Sequence, residues 1–265
     1  EWAMRSAERA ILPHASSLLE DANVDPSGVV RQLAQGITLG STNLRLTLAD
    51  ETAKLNLNQV FLHEDLAATD VTLKRIVPPL AGVTQLLRPV VGSAAMQAAW
   101  QNRMDVPRAF VSWGNVYDLD SAPAQIRAHF LSEVSQRTTC WGRPRLNYLR
   151  CDQRTLEEVL KLALDSQQAA ELAEVILANP DRVDIQAQMV ADGADEQTRE
   201  QVRGLLTKVS TCFSLKAEIF SSVPQAGVRQ IDFASITILD QPTLNNEEEE
   251  PTEAPAELFR FLLRR

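Results

Sequence analysis

The sequence predicts an α+β fold in which a long helical block interrupts an antiparallel sheet. Three patterns predict it: a helical apolar pattern opens the chain, alternating apolar and polar residues mark strands towards both ends, and apolar residues at helical spacing fill the middle. Ten glycines and eight phenylalanines among 265 residues also favour helix over an all-β fold. A helix followed by a sheet that resumes after a helical insertion belongs to the α+β class.

The opening helix is predicted over residues 1–22, where Trp2, Ile11 and Leu19 are among the apolar residues at helical spacing. Pro13 is expected to kink or divide this helix. The chain begins at Glu1, without an initiator methionine and already within the helical pattern. We therefore expect that a signal or anchor segment preceded Glu1 in the native protein. Within the sequence itself, the apolar runs are too short to span a membrane.

Two alternating runs, Leu44–Leu48 and Lys54–Asn58, flank a polar turn and are predicted to form a β-hairpin. Arg145–Leu149 repeats the Leu-Asn pattern of the second run, although a match this short can arise by chance. Towards the C-terminus, alternation predicts further strands, and the acidic run Glu247–Glu250 is interpreted as a solvated loop. These strands are Cys212–Phe220, Val228–Leu239 and Leu258–Leu263, the last of which could also be a short helix.

Residues 153–178 give the clearest prediction of a helix pair. Thr155 and Glu158 have the spacing of a capping box at the start of the first helix. Asp165 or Ser166 is expected to start the second helix, which Asn179-Pro180 ends. The other predicted helices cover much of residues 60–135, including 124–134, together with 181–191 and 195–208.

The charge of the chain argues against a nucleic-acid-binding protein. Its net charge is −9 and its pI about 5.0, whereas such proteins present a basic face to the phosphates. One basic stretch is present, and we interpret it as solvated residues or ion pairs rather than as a phosphate site. It consists of Arg137, Arg143, Arg145, Arg150 and Arg154.

The three cysteines do not have the spacing of a zinc site, and no CxxC is present. In an oxidising compartment, Cys140 and Cys151 are one candidate disulfide pair. Either of them could instead pair with Cys212, and the sequence leaves this open.

No catalytic motif accompanies the three histidines, His14, His63 and His129. The sequence also lacks a P-loop, a G-x-G-x-x-G and an H-E-x-x-H segment. Trp113-Gly114 and Trp141-Gly142 are interpreted as buried tryptophans beside tight backbone rather than as a binding surface. We therefore predict a protein that is not an enzyme and takes part in an assembly.

The chain resembles the K-type minor pseudopilins of bacterial type II secretion systems. That family has an acidic turn followed by a K-[LIF]-N-[LI]-N strand, and Asp50–Asn58 matches this pattern. A second Leu-Asn strand then precedes a helix pair, as at Arg145–Leu149 here, and Ser112–Leu119 falls where the family has a Ser-x-x-[ED]-L-like segment. The order of the C-terminal strands also fits. The residues that carry the motif are Lys54, Leu55, Asn56, Leu57, Asn58, Leu146 and Asn147.

The resemblance implies a pilin-like core, in which an N-terminal helix lies on an antiparallel sheet, formed by residues 1–58 and 208–265. It implies that residues 59–207 form an inserted helical domain of helix-hairpin-helix or SAM-like fold. A hydrophobic helix cleaved by a prepilin peptidase would anchor the protein in the inner membrane. The remainder would lie in the periplasm, at the tip of a pseudopilus, where it would bind other minor pseudopilins and start or cap assembly. Neither nucleic acid nor a small-molecule substrate is expected.

One departure from the family bears on cofactors. Many members carry an Asp-Trp-[IL]-Asp-x-Asp segment linked to calcium, whereas the comparable stretch here, Trp100–Asp105, lacks the acidic cluster. We interpret the aspartate pairs Asp118/Asp120 and Asp192/Asp195 as caps or loop residues. No cofactor is therefore expected; the departure argues against calcium without excluding it.

Two other functions are open from the sequence. A helix-hairpin-helix-like nucleic-acid-binding protein would use residues 137–178 and their arginines, against the overall charge. A hydrolase would need a site that no motif marks, recognisable as a pocket holding an acid or base with a perturbed pKa.

Overall fold

A computed structural model describes nine ranges of the chain: residues 2–21, 32–39, 42–77, 83–102, 104–121, 133–180, 182–220, 231–240 and 257–264. No helix within these ranges combines the length and the apolar composition needed to cross a membrane.

A five-stranded antiparallel sheet forms one part of the fold. Its strands, in spatial order, are β1 (Gln32–Leu39), β2 (Thr42–Asp50), β9 (Cys212–Phe220), β10 (Ile231–Asp240) and β11 (Glu257–Arg264). The two central neighbours β2 and β9 are far apart in sequence, with Leu48 opposite Leu215. The chain therefore leaves the sheet after β2 and returns to it at β9.

The N-terminal helical segment packs on one face of this sheet. It consists of α1 (Trp2–Ile11), a 3-10 turn (Leu12–His14) that contains Pro13, and α2 (Ala15–Asp21). The Thr237 hydroxyl donates to Glu8 of α1 at 2.6 Å, which adds a polar contact between helix and sheet. Alternate residues of β2, β9 and β10 face the helix, because side chains alternate between the faces of a strand. The apolar core between them comprises Leu12, Ala15 and Leu19 of the helical segment and Leu44, Leu46, Leu48, Phe213, Leu215, Ala217 and Leu239 of the sheet.

Residues 51–211 contain the helices of the second part. Five of these helices begin at an aspartate whose side chain accepts a backbone N–H of the first turn, the preferred way of satisfying a helix start; the caps are Asp65, Asp152, Asp165, Asp184 and Asp195. Besides the helical residues 133–137, the described part contains α3 (Leu57–His63), α4 (Leu66–Ile76), α5 (Ser93–Gln101), α6 (Gln153–Leu160), α7 (Ser166–Ala178), α8 (Ile185–Ala191) and α9 (Glu196–Leu205). Three pairs of two-residue strands join them: β3 (Leu55–Asn56) with β6 (Thr138–Thr139), β4 (Thr84–Gln85) with β5 (Tyr117–Asp118), and β7 (Leu146–Asn147) with β8 (Leu206–Thr207).

The core of the helical part is continuous with the second face of the sheet. Cys212, Ile236 and Ile238 belong to the same buried apolar cluster as Trp141, Leu156 and other residues of the helical part. The sheet is therefore covered on one face by the N-terminal helical segment and, at the β9–β10 end of the other face, by the helical part. This arrangement confirms the predicted α+β class, in which a helix lies on an antiparallel sheet and a helical block interrupts the sheet.

The predicted hairpin between Leu44–Leu48 and Lys54–Asn58 is wrong. The strand in this run is limited to Leu55–Asn56 and pairs in parallel with β6, and Leu57 already belongs to α3. The Asn56 side chain caps α3, and Leu57, Val60 and Phe61 then bury one helical face, so alternation ends at the cap. The strand that does pair with β2 is β1, which the sequence did not predict.

Residues 60–135 are less helical than predicted: outside α3, α4, α5 and residues 133–137, the described part of this range consists of short strands, turns and irregular segments. Most of the other predicted elements agree with the structure where they are described. Strand β9 has the predicted bounds, β10 begins three residues after the predicted start and ends one residue after the predicted end, and residues 257–264 form a strand rather than a helix. Helix α6 is capped by Asp152 instead of Thr155, whereas Asp165 and Gln168 form a capping box at α7. Most of the helix predicted over residues 124–134 lies outside the described residues, although residues 133–137 are described and are helical. The acidic run Glu247–Glu250 lies wholly outside the described residues.

Candidate functional site

The motif residues lie where the chain leaves and re-enters the sheet, in a buried polar region that we call the polar junction. It consists of Asp50, Glu51, Asn56, Asn58 and Asn147 together with the groups that they contact. Each of these five side chains belongs to a residue that is at most 3% exposed. Buried polar groups must find hydrogen-bond partners, so the partners show what the motif does.

Asn56 and Asn58 tie α3 to two distant segments. The Asn58 side-chain amide donates to the carbonyl oxygens of Phe110 and Cys140, each at 2.9 Å, and its oxygen accepts the Phe110 N–H at 2.8 Å. Asn56 donates to the carbonyl oxygens of Trp141 at 3.0 Å and Arg143 at 3.2 Å, while its oxygen accepts the Asn58 N–H at 2.9 Å. The two asparagine side chains therefore provide hydrogen-bond partners for backbone groups of the two distant segments that lie outside the helices and β-sheets.

Asn147 repeats the same local arrangement on the other side of the junction. Its oxygen accepts the Leu149 N–H at 3.1 Å, just as Asn56 accepts the N–H two residues on. Both asparagines end a two-residue strand in a parallel pair. The short Leu-Asn repeat in the sequence therefore has a structural cause, a parallel bridge closed by an asparagine turn.

The acidic turn links the junction to the sheet. Asp50 accepts the Thr52 N–H at 2.9 Å and the Asn147 side-chain amide at 3.3 Å, and it also accepts the hydroxyls of Thr52 and Ser210. Glu51 forms an ion pair with Lys54 and accepts the Ser214 hydroxyl of β9 at 2.5 Å. The side chains of Asp50 and Glu51 therefore bind the turn both to Asn147 and Ser210 of the helical part and to Ser214 of β9.

Burial governs the electrostatics of the junction. It raises the pKa of Asp50 above its usual range, although hydrogen bonds from Ser210 and Thr52 and the charge of Arg150 oppose the rise. Burial also raises the pKa values of the Cys140 and Cys212 thiols. A nucleophilic cysteine needs a lowered pKa, so these two thiols have the electrostatics of structural residues.

All three cysteines are buried free thiols in the structure, so neither the candidate pair Cys140–Cys151 nor a pair with Cys212 is formed in it. Cys212 instead lies against Gly142, whose φ of +78° is the left-handed conformation that glycine tolerates. A Cβ at Gly142 would lie 3.0 Å from the Cys212 Cβ, so side chain and backbone are in close contact there.

The remaining candidate residues are dispersed. His14 is exposed, burial lowers the pKa of His63, and His129 lies outside the described residues. Asp118 accepts the Ser121 N–H, and Asp195 caps α9. Within the described ranges, no group of three or more His, Cys, Asp or Glu side chains could hold a metal ion.

The tryptophans of the two Trp-Gly pairs are buried, as predicted. Trp113 and Trp141 are 3% and 0% exposed, and their rings meet edge to face with centroids 4.5 Å apart. Ser112 and Asn115 close a capping box around the 3-10 turn that carries Trp113. The segment Ser112–Leu119 therefore contributes to the core of the helical part.

The basic stretch does not form one patch. Arg150 is buried 3.9 Å from Glu20, and Arg154 donates to the Arg75 carbonyl oxygen. Arg145 instead lies over the Trp100 ring, with its guanidinium carbon 5.9 Å from the ring centroid, and burial and the charges of Arg143 and Arg203 lower its pKa.

The fold is similar to that of a chain in a solved structure. No family model and no curated protein matches the chain. A chain in the crystal structure of the GspK-GspI-GspJ complex from the enterotoxigenic Escherichia coli type 2 secretion system is similar over 98% of this chain and 94% of its own length. The two chains are 14% identical in sequence, and the TM-score is 0.45.

Proposed function

We propose that this chain is the periplasmic part of a minor pseudopilin of a type II secretion system. It acts without catalysis at the tip of the pseudopilus, where it starts or caps assembly. The observation that supports this most directly is the architecture: an N-terminal helical segment lies on an antiparallel sheet, and a helical part is inserted between the sheet neighbours β2 and β9. The sequence resemblance implied the same order of elements: a helix, a sheet, a helical insertion and the remaining strands of the sheet.

The N-terminal helical segment suits a subunit that packs beside others. Its apolar face is buried on the sheet, while Arg5, Arg9, Ala10, Ser16 and Ser17 are exposed on the opposite side. In the proposed protein, this segment continues a hydrophobic helix upstream of Glu1 that anchors it in the inner membrane. The exposed side is then available to neighbouring subunits.

The inserted helical part suits a position at the tip. We place the inserted domain at about residues 59–207 and the pilin-like core at residues 1–58 and 208–265. Because the insertion leaves from one end of the central strands, it occupies the space into which a further subunit would be added above. The polar junction serves this function by holding the insertion rigidly on the core through buried side-chain bonds.

The expected partners are other minor pseudopilins. The similar crystal structure contains GspK, GspI and GspJ in one complex, and we propose a corresponding complex for this chain. Recognition of nucleic acid or of a small substrate is not part of the proposal.

Co-purification with candidate partners tests the proposal. The chain is co-expressed with two other minor pseudopilins from the same genome, and the masses of the complexes are measured by light scattering after size exclusion. We expect a defined complex with one copy of each subunit, and no filaments of the chain alone in electron micrographs. Ala10→Trp, on the exposed side of the helix, should weaken the complex, whereas Ala191→Trp, exposed on α8, should not. Uniform filaments of the chain alone would contradict a role at the tip.

A further inference from the structure

One edge of the five-stranded sheet is open to an added strand. Strand β1 ends the sheet and pairs with β2 along one side, and every side chain from residue 32 to residue 38 is exposed. In an antiparallel edge strand, every second residue turns its N–H and C=O groups away from the sheet. These groups are a template on which another extended chain can pair.

The two edges of the sheet differ in charge. Charged residues on an edge strand oppose pairing with another chain, and natural sheets use them for protection. Strand β11, at the far edge, contains Glu257, Arg260 and Arg264, whereas none of the eight residues of β1 is charged. The β1 edge therefore lacks the protection that the β11 edge has.

The apolar side chains of β1 lie on the same face as the core beneath the N-terminal helical segment. Leu33 lies opposite Leu48 and Ile37 opposite Leu44, and residues directly opposite each other on neighbouring strands share a face. Leu44 and Leu48 belong to the buried core on that face, whereas Leu33 and Ile37 are each 36% exposed. An added strand would extend the core over Leu33 and Ile37 if it carried apolar residues at the two positions opposite them.

The other face of the edge favours an acidic residue on the added strand. Gly36 lies opposite Arg45 of β2, which is exposed and forms no ion pair with a carboxylate of the described residues. Glu218 of β9, the neighbour of Arg45 on its other side, is paired instead with Lys216 at 2.6 Å. A Cβ at Gly36 would have nothing within 4 Å, so the space between Arg45 and an added strand is open. Because neighbouring strands lie about 4.8 Å apart, a glutamate opposite Gly36 can meet Arg45 across the glycine.

We propose that β1 is a docking strand for an extended segment of a partner protein, which joins the sheet antiparallel to β1. The segment carries apolar residues opposite Leu33 and Ile37 and a carboxylate opposite Gly36. In this mode of binding, backbone hydrogen bonds provide affinity and alternate side chains provide specificity. Strand β1 of a second copy fits less well, because it offers no carboxylate to Arg45 and because both copies carry a net charge of −9. The proposal goes beyond the function proposed above and does not depend on it.

Peptide binding to the whole chain tests the proposal. The probe is fluorescein-labelled TVETTVT, whose valines and glutamate take the assigned positions when it pairs antiparallel to β1. Fluorescence anisotropy should show binding, and hydrogen exchange of the β1 amides should slow when the peptide is bound. Ile37→Lys should weaken binding at least about tenfold, because it removes an apolar contact and adds a charge to the edge. Val190→Lys, at an exposed valine of α8, is the matched control and should change the dissociation constant less than about twofold.

Altered peptides separate backbone pairing from the effect of charge. Two forms of TVETTVT are N-methylated at alternate residues; the form whose methyl groups face β1 should lose binding, and the other form should keep it. TVKTTVT should bind about threefold or more weakly than TVETTVT, because lysine replaces the carboxylate near Arg45. Arg45→Gln should remove this difference between the two peptides.

Four results would overturn the proposal. The first is that TVETTVT does not bind, or that it slows exchange elsewhere than in β1. The second is equal weakening by Ile37→Lys and Val190→Lys, or equal binding of the two methylated forms, either of which would exclude strand pairing. The third is equal binding of TVETTVT and TVKTTVT, which would exclude the acidic residue. The fourth is a chain that dimerises by itself and becomes monomeric in Ile37→Lys, which would make a second copy the occupant. Circular dichroism checks that every variant has the native fold.

Discussion

Asn58 provides the sharpest test of the structural role of the motif. Its side chain makes three hydrogen bonds to backbone groups of Phe110 and Cys140, at 2.8 to 2.9 Å, and the residue is 3% exposed. Asn58→Ala removes all three and leaves two carbonyl oxygens and one N–H without a partner. Each such buried group costs about 1 to 3 kcal/mol, so we expect the free energy of unfolding to fall by about 3 to 9 kcal/mol. That is a large part of the stability of an ordinary domain.

Urea unfolding followed by circular dichroism and tryptophan fluorescence measures this loss. Asn102→Ala is the matched control, because the Asn102 side chain is exposed and donates to the Ala98 carbonyl oxygen at 2.7 Å. This control should cost less than about 0.5 kcal/mol. If Asn58→Ala costs no more than the control, then Asn58 does not hold the junction together and the structural account of the motif is wrong.

Three further predictions concern the junction and its surroundings. Gly142→Ala should lower the free energy of unfolding in urea by about 2 to 3 kcal/mol, because Gly142 has a left-handed φ and its new Cβ would press on Cys212. Gly193→Ala is the control: Gly193 also has a φ of +78°, but a Cβ there would have nothing within 4 Å, so it should cost about 1 kcal/mol. Equal losses in the two variants would contradict the close contact at Cys212. Because burial raises the pKa of Asp50, the folded state holds the Asp50 proton more tightly than the unfolded state does. The stability that Asp50 contributes should therefore fall as the pH rises through its raised pKa, measured as the difference in free energy of unfolding between the native protein and Asp50→Asn. A difference that stays constant or grows with pH would contradict this. The three free thiols should react with Ellman's reagent slowly in the native protein and fully in denaturant, and fewer than three in denaturant without reductant would indicate a disulfide.

The fold class could be predicted because two strong periodicities coincide with the two parts of the protein. Cys212–Phe220 alternates along its whole length and is a strand, and the residues around 153–178 follow helical spacing and form α6 and α7. Strand β1 could not be predicted in the same way. The described side chains of residues 32–38 are all exposed, so there is no buried face to impose alternation on this edge strand.

The residues of the polar junction could be predicted from the sequence, but their hydrogen-bond partners could not. The motif resemblance selected Asn56, Asn58 and Asn147, which the structure places in the junction. Their partners Phe110, Cys140 and Ser210 are distant in sequence and are bound mostly through backbone groups, which leave no side-chain pattern to recognise. The alternation of Lys54–Asn58 was misleading for a related reason: Leu55 and Leu57 are buried in different elements, one in a bridge and the other in a helix.

The arginines show the same limit. Five of them are close in sequence, yet Arg150 turns into the core and Arg154 donates to a backbone carbonyl. Arg145 instead lies over the ring of Trp100, which belongs to α5. Charge spacing along a chain therefore predicts a binding surface only when the elements keep those residues on one side.

The N-terminus of the native protein tests the proposed function most directly. The protein is extracted from membranes of the producing cells, and its N-terminus is determined by peptide sequencing and intact-mass spectrometry. The account predicts that the native chain begins with a methylated N-terminus left by a prepilin peptidase and that about 20 apolar residues lie between this N-terminus and Glu1. A native chain that begins at or near Glu1 and is recovered without membranes would contradict the proposed pseudopilin function.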